Sequence, residues 1–124
     1  MIKSKKTLKR HLICIYCNEK IKDRKLIDQI GYGMEEEGIP FKVYFKEENS
    51  AHNLAYKAAQ HSKLGIGIGV DSDKKVVLQK EKLSKQNPIF DKKIRDFYQA
   101  KLMGINAARL EKKIPFKDLD LKGG

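Results

Sequence analysis

Tryptophan is absent from this 124-residue chain, and it holds only three histidines, three prolines and two cysteines. Each scarcity excludes something. Two cysteines cannot staple a small secreted fold. No apolar run approaches the ~20 residues of a membrane span, and no apolar segment follows the basic start as in a signal peptide. His11, His52 and His61 are too scattered in sequence to suggest a metal triad. What remains is the composition of one soluble, cytosolic domain, 40% apolar and 35% charged, long enough for a single core.

The formal charge of +11 raises nucleic acid as a partner. Its make-up argues against it. Residues 1–62 hold 12 basic and 8 acidic side chains and residues 63–124 hold 15 and 8, so the excess is diffuse outside residues 1–10. Only Arg10, Arg24, Arg95 and Arg109 carry the guanidinium fork that suits phosphates and guanine edges. The aromatics are not interleaved with the basic residues as a stacking platform requires. Diffuse lysine is first a solubility device, and a small basic nucleic-acid-binding protein stays as an alternative reading.

Residues 1–10 read as a mobile basic tail and residues 11–122 as one domain. Residues 11–17 (HLICIYC) form an apolar, β-branched run expected to be a buried strand. Leu26, Ile27, Ile30 and Met34 recur at helical spacing over about 20–37, and Gly38 stands at the stop. Phe41, Val43 and Phe45 alternate with polar neighbours as a second strand. Asn49 or Ser50 caps a helix whose Ala51, Leu54, Ala55, Ala58 and Ala59 make a narrow small-residue face. Residues 65–70 (GIGIGV) and 75–79 (KVVLQ) read as a hairpin around Asp71-Ser72-Asp73. Residues 80–92 read as a polar connector, and 92–112 as the last helix. The order β-α-β-α-β-β-α predicts a single small α/β domain, its sheet mostly parallel with an antiparallel edge hairpin, flanked by about three helices.

The apparent motifs for chemistry fail on inspection. Cys14 and Cys17 form a C-x-x-C, but within a strand, where positions three apart face opposite sides, and no second ligand pair exists for zinc. Gly65, Gly67 and Gly69 lack the third fingerprint glycine, because Val70 occupies its position, and no helix follows. They leave one strand face bare for a close neighbour, the alanine-rich helix or another subunit. Glu35, Glu36 and Glu37 are more informative. They fill the last turn of a helix, where the macrodipole disfavours negative charge. No lysine or arginine lies three or four residues from any of them. The cluster therefore calls for a cation from elsewhere, and Glu36 points well away from the core face. A solvated acidic face is the alternative.

Residues 31–41 (GYGMEEEGIPF) resemble the G-[IL]-E-E-[EQ]-G-[IV]-P signature of the small subunit of glycerol and diol dehydratase reactivases. In order, Ala58-Ala59 through Ser62-Lys63-Leu64 and on to Gly69 is similar to AA-x-S-S-P-L-x-V-G-I-G, and 83–90 to L-P-A-x-A-P-L-F. Residues 104–110 (GINAARL) with 114–119 (IPFKDL) are similar to G-x-N-A-A-R-L-V-K-x-I-P-F-R-D-L. The resemblance spans about residues 30–120. It implies a small non-catalytic, chaperone-like subunit that works with a large, actin-like ATPase subunit binding ADP or ATP. Together they would free damaged cobalamin from an inactivated cobalamin-dependent dehydratase, by exchange with the dehydratase medium subunit. It also implies no catalytic residue and no cofactor in the isolated chain. Glu36 would be a metal ligand in trans, joining large-subunit oxygens around magnesium or calcium. The expected location is the cytoplasm, free or inside a bacterial microcompartment. Part of a dehydratase medium subunit, or a relative of it, is the other reading within this resemblance.

Overall fold

The computed structural model describes residues 11–120. The expected tail over 1–10 lies outside them. The elements are β1 (Ile13–Asn18), α1 (Arg24–Glu36), β2 (Phe41–Lys46), α2 (Ala51–His61), β3 (Ile66–Val70), β4 (Lys75–Lys80), β5 (Phe90–Lys93) and α3 (Phe97–Lys112). They build one five-stranded sheet in the order β2-β1-β3-β4-β5. β1 pairs in parallel with β2 and β3, while β4 is antiparallel to both β3 and β5. Four of the five strands thus point the same way, as the expected mostly parallel sheet requires.

Every residue of β1 is buried, because it lies centrally with a helix layer on each face. Ile13, Ile15 and Cys17 face the larger core under α1 and α3; Cys14 and Tyr16 face α2. The apolar stripe of α1 behaves as its spacing predicts: Leu26, Ile30 and Met34 are fully buried, each contributing about 1.5–3 kcal/mol of burial. Ser50 caps α2, its hydroxyl accepting from Asn53 N at 3.2 Å.

Two expectations are corrected. The connector over 80–92 contains β5, and α3 begins at Phe97 rather than Lys92. β5 is Phe-Asp-Lys-Lys, with no apolar alternation to reveal it. Its main chain pairs with β4 from Phe90 opposite Leu78 to Lys93 opposite Lys75, and flanking bonds extend the pairing, Ile89 N donating to Leu78 O at 2.8 Å and Ile94 N to Lys74 O at 2.9 Å. Asp96 then caps α3 through Gln99 N at 2.8 Å. The edge strand is consequently β5, paired antiparallel to β4, and β4, the one strand that runs against the rest, lies between it and β3.

Glycine sets the helix distances. A Cβ on Gly67 would lie 2.1 Å from Ala59 N and one on Gly69 2.2 Å from Ala51 O, so the bare strand face is covered by α2. Gly65 plays no part in that face; its φ of +72° makes the turn into β3. On the other side α1 and α3 touch main chain to main chain. A Cβ on Gly33 would meet Lys101 O at 2.2 Å, and one on Gly104 would meet Ile30 O at 1.9 Å.

The segment after α3 folds back onto it. Asn106 brackets Lys117, its Oδ1 accepting from Lys117 N at 2.7 Å and its Nδ2 donating to Lys117 O at 2.8 Å. Gln99 Nε2 donates to Leu119 O at 2.9 Å. Phe116 meets Phe90 edge to face at 5.1 Å between ring centres.

Helix propensity alone makes alanine better than a helical glycine by about 1 kcal/mol. At position 104 the main-chain contact outweighs it, because the helices must part to admit a methyl. Gly104→Ala is expected to lower stability by about 2 kcal/mol, read as the shift in a urea unfolding curve; an unchanged or raised midpoint contradicts this packing.

Candidate functional site

The acidic triplet ends α1 as the spacing predicts, with the chain turning away through Gly38 at φ +76°. The three carboxylates meet different fates. Glu37 is largely covered, with 14% of its side chain exposed; Lys112 Nζ donates to its Oε1 at 3.0 Å and Arg109 Nη2 to its Oε2 at 3.4 Å. Lys112 also donates to the Glu37 main-chain oxygen at 3.0 Å, and Arg109 to Pro115 O at 3.0 Å. Glu36 is half exposed and forms an ion pair with Lys101. Glu35 is exposed and makes no ion pair with a described residue.

The cations that the sequence analysis could not find on the helix itself therefore come from α3, more than sixty residues downstream. They neutralise charge at the helix end where the macrodipole is least tolerant. Sequence spacing does not reveal Lys101, Arg109 and Lys112 in this role, because spacing rules see only one helix. The 104–110 motif does contain Arg109, and its Asn106 is the buried clamp on Lys117. The Lys112 hydrogen bond holds the Glu37 carboxyl below its ordinary range; desolvation opposes it, and the Arg109 and Lys112 charges and the Arg109 hydrogen bond add to the lowering.

A divalent cation fits this corner only as something shared. No group of three or more His, Cys, Asp or Glu among the described residues is placed to hold a metal ion. Glu37 is committed to two cations, which leaves Glu36 as an accessible carboxylate able to supply one hard oxygen ligand to an ion completed by other donors.

The other candidates are accounted for by packing. Cys14 and Cys17 are buried free thiols on opposite faces of β1. Burial pushes Cys14 up to about 11 and Cys17 up to about 12, against small lowering by Lys42 and Arg24 respectively. The histidines are apart: His61 Nδ1 shares a 2.8 Å hydrogen bond with the Tyr16 hydroxyl, and His52 Nε2 lies 2.8 Å from Asp91 Oδ2. Ser62, next to His61, donates to Leu12 O at 2.6 Å. The cleft where β1 and β3 part, a common ligand position in such sheets, mixes Lys20, Lys22 and Lys74 with Asp23 and Asp73. No helix among the described residues is long and apolar enough to cross a membrane.

Residues 12–117 match the family model described as dehydratase medium subunit. The diol dehydratase-reactivating factor small subunit of Klebsiella michiganensis is 40% identical over 89 residues, 71% of this chain and 70% of that protein. The propanediol dehydratase-reactivating factor small subunit of Salmonella typhimurium is 41% identical over 88 residues, 70% of this chain and 75% of that one. The structure of a diol dehydratase-reactivating factor complexed with ADP and Mg2+ superposes with a TM-score of 0.77 at 29% identity, covering 90% of this chain and 100% of the matched one.

Two outcomes are expected from this geometry. A carboxylate held low in the folded state contributes stability above its unfolded value and loses it as pH falls through its folded one. Glu37→Gln should therefore melt lower than wild type at pH 7, and the two curves should converge on acidification below about pH 4. A constant gap across that range would deny the Glu37 pairing. For the thiols, a disulfide-exchange reagent at pH 8 should titrate neither cysteine in the native chain and both in guanidinium. Rapid native reaction would contradict their burial.

Proposed function

Because the chain belongs to the dehydratase medium-subunit family, among the small subunits of diol and glycerol dehydratase-reactivating factors, we propose that it frees damaged cobalamin from an inactivated dehydratase by subunit exchange. The observation that carries this reading is that one family model, described by the dehydratase medium subunit, spans nearly the whole chain, while its curated relatives are reactivating-factor small subunits. Two proteins of one fold can compete for one docking surface. In this reading the chain occupies the medium subunit's place, loosens the dehydratase, and lets the damaged cofactor leave. The relatives' names favour a diol dehydratase as the client.

The chain itself is non-catalytic here. A large ATPase subunit supplies nucleotide binding, and the two meet at the acidic end of α1. Glu36 donates one carboxylate oxygen to a divalent ion, magnesium or calcium, whose remaining ligands come from the large subunit. Such an ion bridges two subunits electrostatically without requiring a complete site on either. A relative solved with ADP and Mg2+ supports the choice of ion. Lys101 must release Glu36 for the carboxylate to turn outward.

Glu36→Gln preserves size and removes the charge. It is expected to weaken magnesium-dependent association with the large subunit by about tenfold, the scale of a lost charge-assisted contact, and to slow recovery of an inactivated dehydratase supplied with fresh adenosylcobalamin. The melting temperature of the free chain should barely move. Glu35→Gln should change association less than about twofold, as an exposed charge does. Equal effects of the two substitutions, or none in a magnesium titration, would return the triplet to a solvated face.

A further inference from the structure

We propose that Lys101 is a built-in counter-ion that occupies Glu36 in the free chain and competes with the divalent cation for it, so that it sets how much metal the docking corner demands. This rests on the reading of Glu36 as a metal ligand.

Three observations carry it. First, Lys101 is not a lysine that happens to sweep past. Its main-chain oxygen lies against Gly33, where a Cβ would come within 2.2 Å, so the helix crossing fixes the root of the side chain over the last turn of α1. Only 32% of that side chain is exposed, so its stem is largely packed and its ammonium reaches Glu36 with less freedom to lose. Second, the cations are divided. Arg109 and Lys112 are both taken by Glu37, leaving Lys101 as the one described cation paired with Glu36. Third, the exposures differ in the sense that exchange requires. Glu37 has 14% of its side chain exposed and three hydrogen bonds to α3 cations, whereas Glu36 has 50% exposed and one partner. One carboxylate is built in, and its neighbour is held by a contact that can be traded.

The consequence is quantitative. A half-exposed ion pair that is closed about twice as often as it is open, well within the range of such pairs, leaves Glu36 free in roughly a third of molecules. The apparent metal affinity is reduced by that fraction. Removing the ammonium should restore about threefold, and an arginine in its place should not.

The test uses the full-length isolated chain and Mn2+, a hard divalent ion whose paramagnetism broadens the amide signals of nearby residues even when binding is weak. The signals of residues 33–38 are followed during titration in wild type, Lys101→Met, Lys101→Arg, Glu36→Gln and the Lys101→Met/Glu36→Gln double variant. Lys101→Met should reach half-broadening at about one-third the Mn2+ concentration of wild type. Lys101→Arg should stay with wild type, and Glu36→Gln should abolish the gain in the double variant. Equal broadening in wild type and Lys101→Met, including none in either, overturns the role of Lys101 and leaves Glu36 to the titration of the complex. A gain that survives Glu36→Gln shows that the ion has moved to Glu35 or Glu37, and sinks both ideas. A thermal melt of each variant confirms that the comparison is between folded chains.

Discussion

The contact between Gly104 and the main chain of Ile30, with its counterpart between Gly33 and Lys101, governs much of what this chain can do. Without a Cβ at either point, α1 and α3 approach until backbone meets backbone. That approach carries three cationic side chains of α3 to the C-terminal turn of α1, where three consecutive carboxylates would otherwise face an unfavourable macrodipole. A larger residue at the crossing would separate the helices, and the ion pairs would lengthen with them. The packing of the core and the electrostatics of the acidic corner are consequently one constraint.

The same corner gathers sequence motifs that lie far apart along the chain. Arg109 binds Glu37 from the first motif and Pro115 from the last, and Asn106 fixes the main chain of Lys117 from both sides. These side chains satisfy the polar groups of a segment that has no regular structure of its own, which lets 114–120 lie on the domain without a helix or a ladder. The motif residues so explained are structural. They hold the acidic turn in place, and the exposed Glu36 is left as the one carboxylate of the triplet that is both partnered and accessible.

Periodicity made most of this fold legible. The strand of residues 11–17, the amphipathic helix ending at the glutamates and the small-residue face opposite a glycine-bearing strand all follow from side-chain spacing, and the structure places them so. β5 was invisible because its four residues carry no alternation; main-chain pairing to β4 alone defines it, and main-chain hydrogen bonds leave no mark on side-chain pattern. The late start of α3 follows from the same cause, since β5 takes Lys92 and Lys93 from the expected 92–112 helix. Glu36 was legible as an exposed carboxylate on a helix end. Its pairing with Lys101 was not, because that contact is created by the crossing of two helices and by no local rule.

Under the proposed subunit exchange, a chain that folds alone and changes partners needs contacts of two strengths at one place. The proposed docking corner separates them by exposure. Glu37, covered and hydrogen-bonded to two cations, stabilises the α1–α3 junction and would leave those cations uncompensated if it turned outward. Glu36, one residue earlier, lies in a half-exposed pair where solvent screens the attraction, so trading an ammonium for a metal ion costs little and disturbs no packing. Both carboxylates sit on the same helical turn, so a partner drawn to Glu36 meets a surface already held rigid by Glu37. Rigid support beneath a replaceable contact makes reversible docking compatible with a stable fold.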